Sequence, residues 1–237
     1  MAEYQTAKSY VDSSQAIDVG LRAHMNKVYG LMAVAMVITG AVAFAVGTSN
    51  LVYIIQGTWL RWVVMLAPLG VVFMFGAKIH SMRVATAQLV FWVFAALIGL
   101  SISYIFLAFT KMSITQTFFT TAVAFGALSL YGYTTKRDLT GMGNFLFIGL
   151  VGIIIASIVN LFILSSVMHF AISAIGVLIF AGLTAYDTQN IKNTYLQCRS
   201  SYGEEYAEKM GIMGALSLYL NFLNMFMFLL QFMGNRD

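Results

Sequence analysis

The sequence predicts an all-α integral membrane protein, a single bundle of seven transmembrane helices, and three observations carry that reading. Of the 237 residues, 60% are hydrophobic and only 9% charged, whereas a soluble domain needs about 25% charged residues to clothe its surface. Six stretches, 28–60, 62–77, 84–110, 112–135, 139–186 and 210–235, contain no Asp, Glu, Lys or Arg. Each is long enough, or nearly so, to cross roughly 30 Å of hydrocarbon as a helix, and the longest is long enough to cross twice. The runs are also apolar on every side, which excludes a barrel built from strands of about ten residues of alternating polarity. Disorder, collagen, a coiled coil and a nucleic-acid module are excluded by the same composition.

The elements follow in order. Residues 1–27 are polar and mixed in charge, without a short apolar core and small-residue cleavage site, so they read as a cytoplasmic tail and not as a cleaved signal peptide. The membrane domain, 28–237, then divides into spans at about 28–47, 60–79, 85–109, 113–133, 145–164, 168–187 and 211–233. The first ends at Gly47-Thr48-Ser49-Asn50; the second carries the only proline, Pro68, where a kink is expected, and stops at the charged stretch from Lys78 to Arg83. Lys111 closes the third, the 134–144 loop the fourth, and Ser165-Ser166 the fifth. The polar segment 188–210 is the longest interruption and reads as a loop before the last span.

Charge sets the expected orientation. Lys8, Arg22, Lys27, Lys78, Arg83, Lys136, Arg137, Lys192, Arg199 and Lys209 collect on one side, and only Arg61, Lys111 and Arg236 on the other. The basic excess marks the cytoplasmic face, so the N-terminus lies inside and the C-terminus, after seven crossings, outside; a last span that re-enters would instead leave both inside. The formal charge of +4 is more economically read through this asymmetry than through an anionic partner. Cys198, the single cysteine, has no intramolecular disulfide partner.

The hexamer Gly126-Ala-Leu-Ser-Leu-Tyr131 recurs as Gly214-Ala-Leu-Ser-Leu-Tyr219. A duplication would relate spans 2–4 to spans 5–7 in opposite orientations, the inverted repeat found in many transporters. The competing reading is that both segments are small-residue helix contacts.

An ionisable group inside a membrane is costly and points to function. Asp187, at the end of the sixth span, is the only acidic residue in or beside any span after the first. The alternative is an interfacial carboxylate that meets water or Lys192. In the last span Ser217, Asn221, Asn224 and Gln231 fall at intervals of four, three and seven, on one helical face. A polar stripe on a helix of Leu, Phe and Met is expected inside the bundle or beside water. With Thr184 and Asn160, Asp187 and this stripe offer oxygen ligands for a hard cation, a weak calcium site suited to passage because it has one full negative charge. A hydrogen-bond network that only holds helices together is the plainer alternative.

Other chemistries are excluded. The last span has no lysine for a retinal Schiff base, and His24, His80 and His169 show no metal-ligand spacing. No P-loop or dinucleotide fingerprint is present, no enzyme activity is expected, and no cofactor is implied beyond calcium as a transported ion.

Three segments carry a resemblance: Leu130-Tyr-Gly-Tyr-Thr-Thr-Lys-Arg-Asp-Leu139, Gly182-Leu-Thr-Ala-Tyr-Asp-Thr-Gln-Asn-Ile-Lys192 and Ala215-Leu-Ser-Leu-Tyr-Leu-Asn-Phe-Leu-Asn224. Together they resemble the signature regions of the Bax inhibitor-1 family, in its bacterial branch, from about residue 21 onward. The resemblance implies a seven-helix bundle with the last helix at its centre, in the bacterial inner membrane. It also implies a pH-sensitive calcium leak gated by two hydrogen-bonded aspartates on the last two helices. Carried over by motif, the first aspartate is Asp187, and the second position holds Asn221. Two nearby carboxyls share a proton and titrate as a pair, whereas an amide does not titrate; Asn221 instead can donate to an ionised Asp187 and weaken the pH response. In such proteins a basic residue near the second span pairs with the first aspartate, and Lys78 and Arg83 are the nearest candidates.

The expected function is thus a passive calcium pathway with Asp187, Ser217, Asn221, Asn224 and Thr184 along it. Two alternatives stand beside it. One is a non-conducting membrane protein that restrains a membrane-anchored protease or other membrane complex through its tail and the 188–210 segment. The other is a proton-coupled exporter, favoured if the inverted repeat is real.

Overall fold

The structure is a computed structural model that describes residues 2–201 and 203–235, with side chains described from residue 19 onward except at 198–201. Lys8, Arg199 and Arg236, which enter the charge balance, and the Cys198 thiol lie outside these described side chains. The elements are α1 (Ala2–Gly47), α2 (Leu51–Gly57), α3 (Leu60–Lys78), a 3-10 turn (Ile79–Ser81), α4 (Val84–Ile102), α5 (Ile105–Ala108), α6 (Lys111–Thr134), α7 (Thr140–Ile163), α8 (Ser166–Ser201) and α9 (Glu204–Met233). Among the described residues seven helices are long and apolar enough to span a membrane, and no strand is present. The chain is the all-α membrane bundle its composition predicts.

Several boundaries differ from the expected ones. No break separates a tail from the first span: α1 runs through residue 27, and Leu21, Met25 and Val28 are all buried in the core. The polar segment 188–201 is not loop but the continuation of α8, and α9 begins at Glu204, well before residue 211. Both extensions are amphipathic enough to keep their hydrogen bonds within a helix while Ile191 and Ala207 join the core. The chain reverses between them at Gly203, whose φ of 81° is the left-handed conformation that glycine adopts without strain. Pro68 leaves α3 unbroken as a helix.

The last helix is central. About three-fifths of the most apolar stretch of α9 is buried, against a third or less in each of the other six spans. It packs most extensively on α8 and also meets α1, α4 and α6, whereas α7 leans chiefly on α8 and α3 chiefly on α4. Tyr219, fully buried, ties three helices at this centre. The Thr39 hydroxyl donates to the Ala95 carbonyl at 2.8 Å, so its one proton is used and Tyr219 Oη donates to Thr39 Oγ1 at 2.6 Å. Phe91 and Phe94 pack edge-on against the Tyr219 ring, with centroids at 5.7 and 6.0 Å. At the polar end of the bundle Lys27 of α1 pairs with Glu208 of α9, and Lys209 bonds Glu205 at 3.0 Å and the His80 carbonyl at 3.4 Å.

The two copies of the hexamer occupy unlike surroundings. The copy ending at Tyr219 lies in the core, whereas in α6 Gly126 is exposed and Leu130 and Tyr131 are 64% and 48% exposed. The third and fourth spans, α4 and α6, barely meet, while the sixth and seventh, α8 and α9, form the tightest pair. Spans 2–4 and 5–7 therefore do not pack alike, and the packing gives the inverted-repeat reading no support.

Close approach of α6 and α8 depends on Gly132, where a Cβ would collide with the backbone carbonyl of Ala185; at Gly126, on the same helix, a Cβ would meet nothing within 4 Å. Gly132→Ala is expected to cost about 1–3 kcal/mol through overpacking. Gly126→Ala is expected to be neutral or to stabilise by about 0.5–1 kcal/mol through helix propensity. Thermal unfolding of the two variants in detergent reads the difference.

Candidate functional site

Asp187 sits half-buried on α8, and its Oδ2 accepts from Ser217 Oγ at 2.5 Å and from Asn221 Nδ2 at 2.7 Å, both on α9. The hairpin at Gly203 brings them level. Asp187 lies about 21 Å along α8 from Ser201, and Ser217 about 20 Å along α9 from Glu204, at 1.5 Å per residue. Ser217 and Asn221 are four residues apart, so both donors face α8 from one side of α9.

The residues around Asp187 each meet a different neighbour. Gly182 lies against Leu146 and Tyr186 against Gly143, both on α7, while Ala185 touches Gly132 of α6. Thr188 Oγ1 is 3.4 Å from the Tyr29 hydroxyl of α1. Gln189 pins the connection between α6 and α7, donating to the Arg137 carbonyl at 2.7 Å and accepting from the Leu139 N–H at 2.9 Å. Successive helical residues step through 100°, so one short segment fixes α1, α6, α7 and α9 around the carboxylate.

Space is arranged in line with it. A cavity of about 160 Å³ on the hairpin side is lined by His24, Asp187, Asn190, Thr194, Gly214 and Ser217, among others. A second, of about 660 Å³, shares Asp187 and Ser217 with the first and continues past Asn221 and Asn224 between α7, α8 and α9. Its walls are otherwise apolar apart from Ser157, with Ile153, Ile158, Leu183 and Phe228 among them. A third, also of about 660 Å³, shares Ser157, Leu161 and Phe228 with the second and opens among Asn160, His169 and Gln231 near the turn joining α7 to α8. The three adjoin one another along the α7–α8–α9 face, with the Asp187 hydrogen bonds at one junction and Phe228 at the other; the middle one opens sideways beside Ile154, Ile158 and Leu161, which are exposed.

Of the residues singled out in sequence, Asp187, Ser217, Asn221 and Asn224 come together on this line; Asn224 donates to the Leu220 carbonyl at 2.8 Å while lining the middle cavity. Asn160 and Gln231 line the outer one, where Asn160 Oδ1 also accepts from the Ser165 N–H at 3.1 Å. Thr184 does not join them: it is fully buried and its hydroxyl donates to the Phe180 carbonyl at 2.7 Å within its own helix. Lys78 and Arg83 are exposed and neither pairs with Asp187. Lys192 is also turned elsewhere, bonding the Tyr133 carbonyl at 3.1 Å and lying over the Tyr133 ring. Asn190 and Thr194 were missed because 188–210 read as a loop; continued as a helix, they fall three and seven residues after Asp187 on its own face. Phe228 carries no sequence signal that separates it from the other aromatic residues of α9.

The Gln189 clamp makes a direct prediction. Gln189→Ala leaves the Leu139 N–H and Arg137 carbonyl unpaired, a loss of about 1–3 kcal/mol. It is expected to lower the unfolding temperature and speed tryptic cleavage after Lys136 and Arg137, and Gln189→Glu, which accepts but cannot donate, is expected to fall between.

Comparison with known proteins identifies the family of the chain. Residues 21–237 match the family described as Inhibitor of apoptosis-promoting Bax1. The chain is 44% identical over 237 residues to a Rickettsia prowazekii protein, covering 100% of this chain and 99% of that one. It is 43% identical over 237 residues to a Caulobacter vibrioides protein, covering 95% and 94%. It is 42% identical over 219 residues to the Escherichia coli inner membrane protein YbhL, covering 92% and 93%. With a matching family over nearly its whole length and relatives of this identity and coverage, the chain belongs to the Bax inhibitor-1 family of membrane proteins.

Proposed function

We propose that this protein is a passive cation pathway of the inner membrane, used by calcium, with Asp187 as its ion-binding residue and its N-terminus in the cytoplasm. The observation that carries the reading is that two adjoining cavities meet at the Asp187 carboxylate and the larger of them continues toward a third. One carboxylate, the Ser217 hydroxyl and the amide oxygens of Asn221 and Asn224 are hard oxygen ligands. A site with one full charge binds calcium weakly enough to release it. The apolar walls of the middle cavity and Phe228 form a stretch that resists wetting, which keeps the leak slow. The basic hairpin side faces the cytoplasm by the positive-inside rule, and the location is that printed in the name of the Escherichia coli relative.

The single carboxylate also sets the pH behaviour. Asn221 donates to Asp187 and does not itself titrate, so the coupled proton release of a carboxyl pair is absent from this contact. Calcium entry into sealed proteoliposomes, measured from about pH 6 to about pH 8, tests both statements. Asp187→Ala is expected to lower the protein-dependent flux by about tenfold or more, the effect of about 1.4 kcal/mol of lost interaction with the ion. Asn221→Asp is expected to make the flux depend more steeply on pH. No flux above that of empty vesicles, from protein shown to be folded, would sink the pathway and leave the non-conducting interaction protein as the reading.

A further inference from the structure

A second feature lies on the outside of the bundle, away from the cavity line. Spans α1 and α6 cross in opposite directions and make little direct contact. The groove between them, about 560 Å³, is lined by Arg22, Asn26 and Tyr29 of α1 and by Gly126, Ser129 and Tyr133 of α6, with Phe125 and Leu130 beside them. Its polarity is graded. Arg22, Asn26 and Tyr133 lie at the end nearest the 134–144 connection, and the apolar Phe125 and Gly126 lie about 10–12 Å further along α6.

The mouth is positively charged. Arg22 is exposed and has no carboxylate partner among the described residues. Lys192 lies 5.3 Å from the centroid of the Tyr133 ring, behind one wall of the groove. Lys136 and Arg137 follow Tyr133 by three and four residues and are exposed. The interior holds an unmade bond: Ser129 Oγ is buried, its residue 6% exposed, and has no hydrogen-bond partner. At Gly126 a Cβ would meet nothing within 4 Å, so the groove floor stays open to an occupant.

We infer that this groove is a binding site for an anionic glycerophospholipid of the cytoplasmic leaflet. The phosphate lies at Arg22 and Asn26. The glycerol backbone lies level with Ser129, about 6 Å deeper than Tyr133 at 1.5 Å per residue. One acyl chain lies along Gly126 and Phe125. A groove between spans is filled by lipid in any bilayer; the unpaired guanidinium turns that filling into selection by headgroup charge. The site is independent of whether the chain conducts.

Thermal unfolding of the full chain in neutral detergent, titrated with phosphatidylglycerol, phosphatidylcholine or glycerol 1-phosphate, tests the inference. Phosphatidylglycerol is expected to raise the midpoint saturably, phosphatidylcholine to do so only weakly, and glycerol 1-phosphate not at all. Arg22→Ala, at an exposed position, is expected to raise the half-saturating concentration about fivefold, the effect of one cation near the headgroup. Gly126→Phe fills the groove without touching its charge and is expected to abolish the saturable response. Lys78→Ala, outside the groove, is expected to leave it unchanged. Equal responses to the two phospholipids would overturn the site, as would a Lys78→Ala effect matching that of Arg22→Ala. A response to glycerol 1-phosphate equal to that of phosphatidylglycerol would show a phosphate site and overturn the lipid assignment.

Discussion

A carboxylate placed between two membrane-spanning helices needs donors and access to water, and that need at Asp187 organises the centre of this protein. Ser217 and Asn221 supply the donors from α9, one helical turn apart. They reach Asp187 only because the hairpin at Gly203 sets α8 and α9 in register, and α9 stays central because four other helices pack around the same pair. Removing the donors would leave an acidic group with water as its only partner inside an apolar bundle, a far costlier arrangement than the one observed.

The same constraint links the fold to the cavities. Helix α7 packs chiefly on α8 and leaves space between itself and α9. That space holds the polar stripe of α9 on one wall and the aliphatic residues of α7 on the other. The stripe is therefore tolerated without being fully buried: most of it lines the space bounded by α7 and α8, and Asn221 and Ser217 make their bonds to Asp187 there. Tyr219, on the opposite side of α9, faces α1 and α4, so one helix carries both the rigid anchor of the bundle and the wall of its interior space.

Much of this was legible in the residues. Charge-free runs mark the seven spans because a membrane admits few alternatives to an apolar helix. The four-three-seven spacing in α9 places Ser217, Asn221, Asn224 and Gln231 on one face, and all four line the cavities. Polarity misled at 188–201, where a helix that leaves the hydrocarbon still keeps its backbone bonds, and this hid Asn190 and Thr194. Thr184 and the basic pair Lys78 and Arg83 show the limit of one dimension: closeness along the chain or to a membrane face does not say which way a side chain turns. The repeated hexamer shows it again, since Gly126, Leu130 and Tyr131 face outward in α6 while Gly214, Leu218 and Tyr219 lie in the core of α9.

The central claim is that water reaches Asp187 and the stripe beyond it through the bundle. Single cysteines at Asn190, Asn224 and Gln231, in a Cys198→Ser background, measure this with a membrane-impermeant thiol reagent applied to each side of oriented vesicles. A lipid-facing cysteine at Phe147, which is 63% exposed on α7, serves as the reference. The account predicts that Asn190→Cys reacts from the hairpin side, Gln231→Cys from the opposite side, and Asn224→Cys measurably faster than Phe147→Cys. If Asn224→Cys is as unreactive as Phe147→Cys from both sides, the cavities do not form a water-accessible line and the account is contradicted.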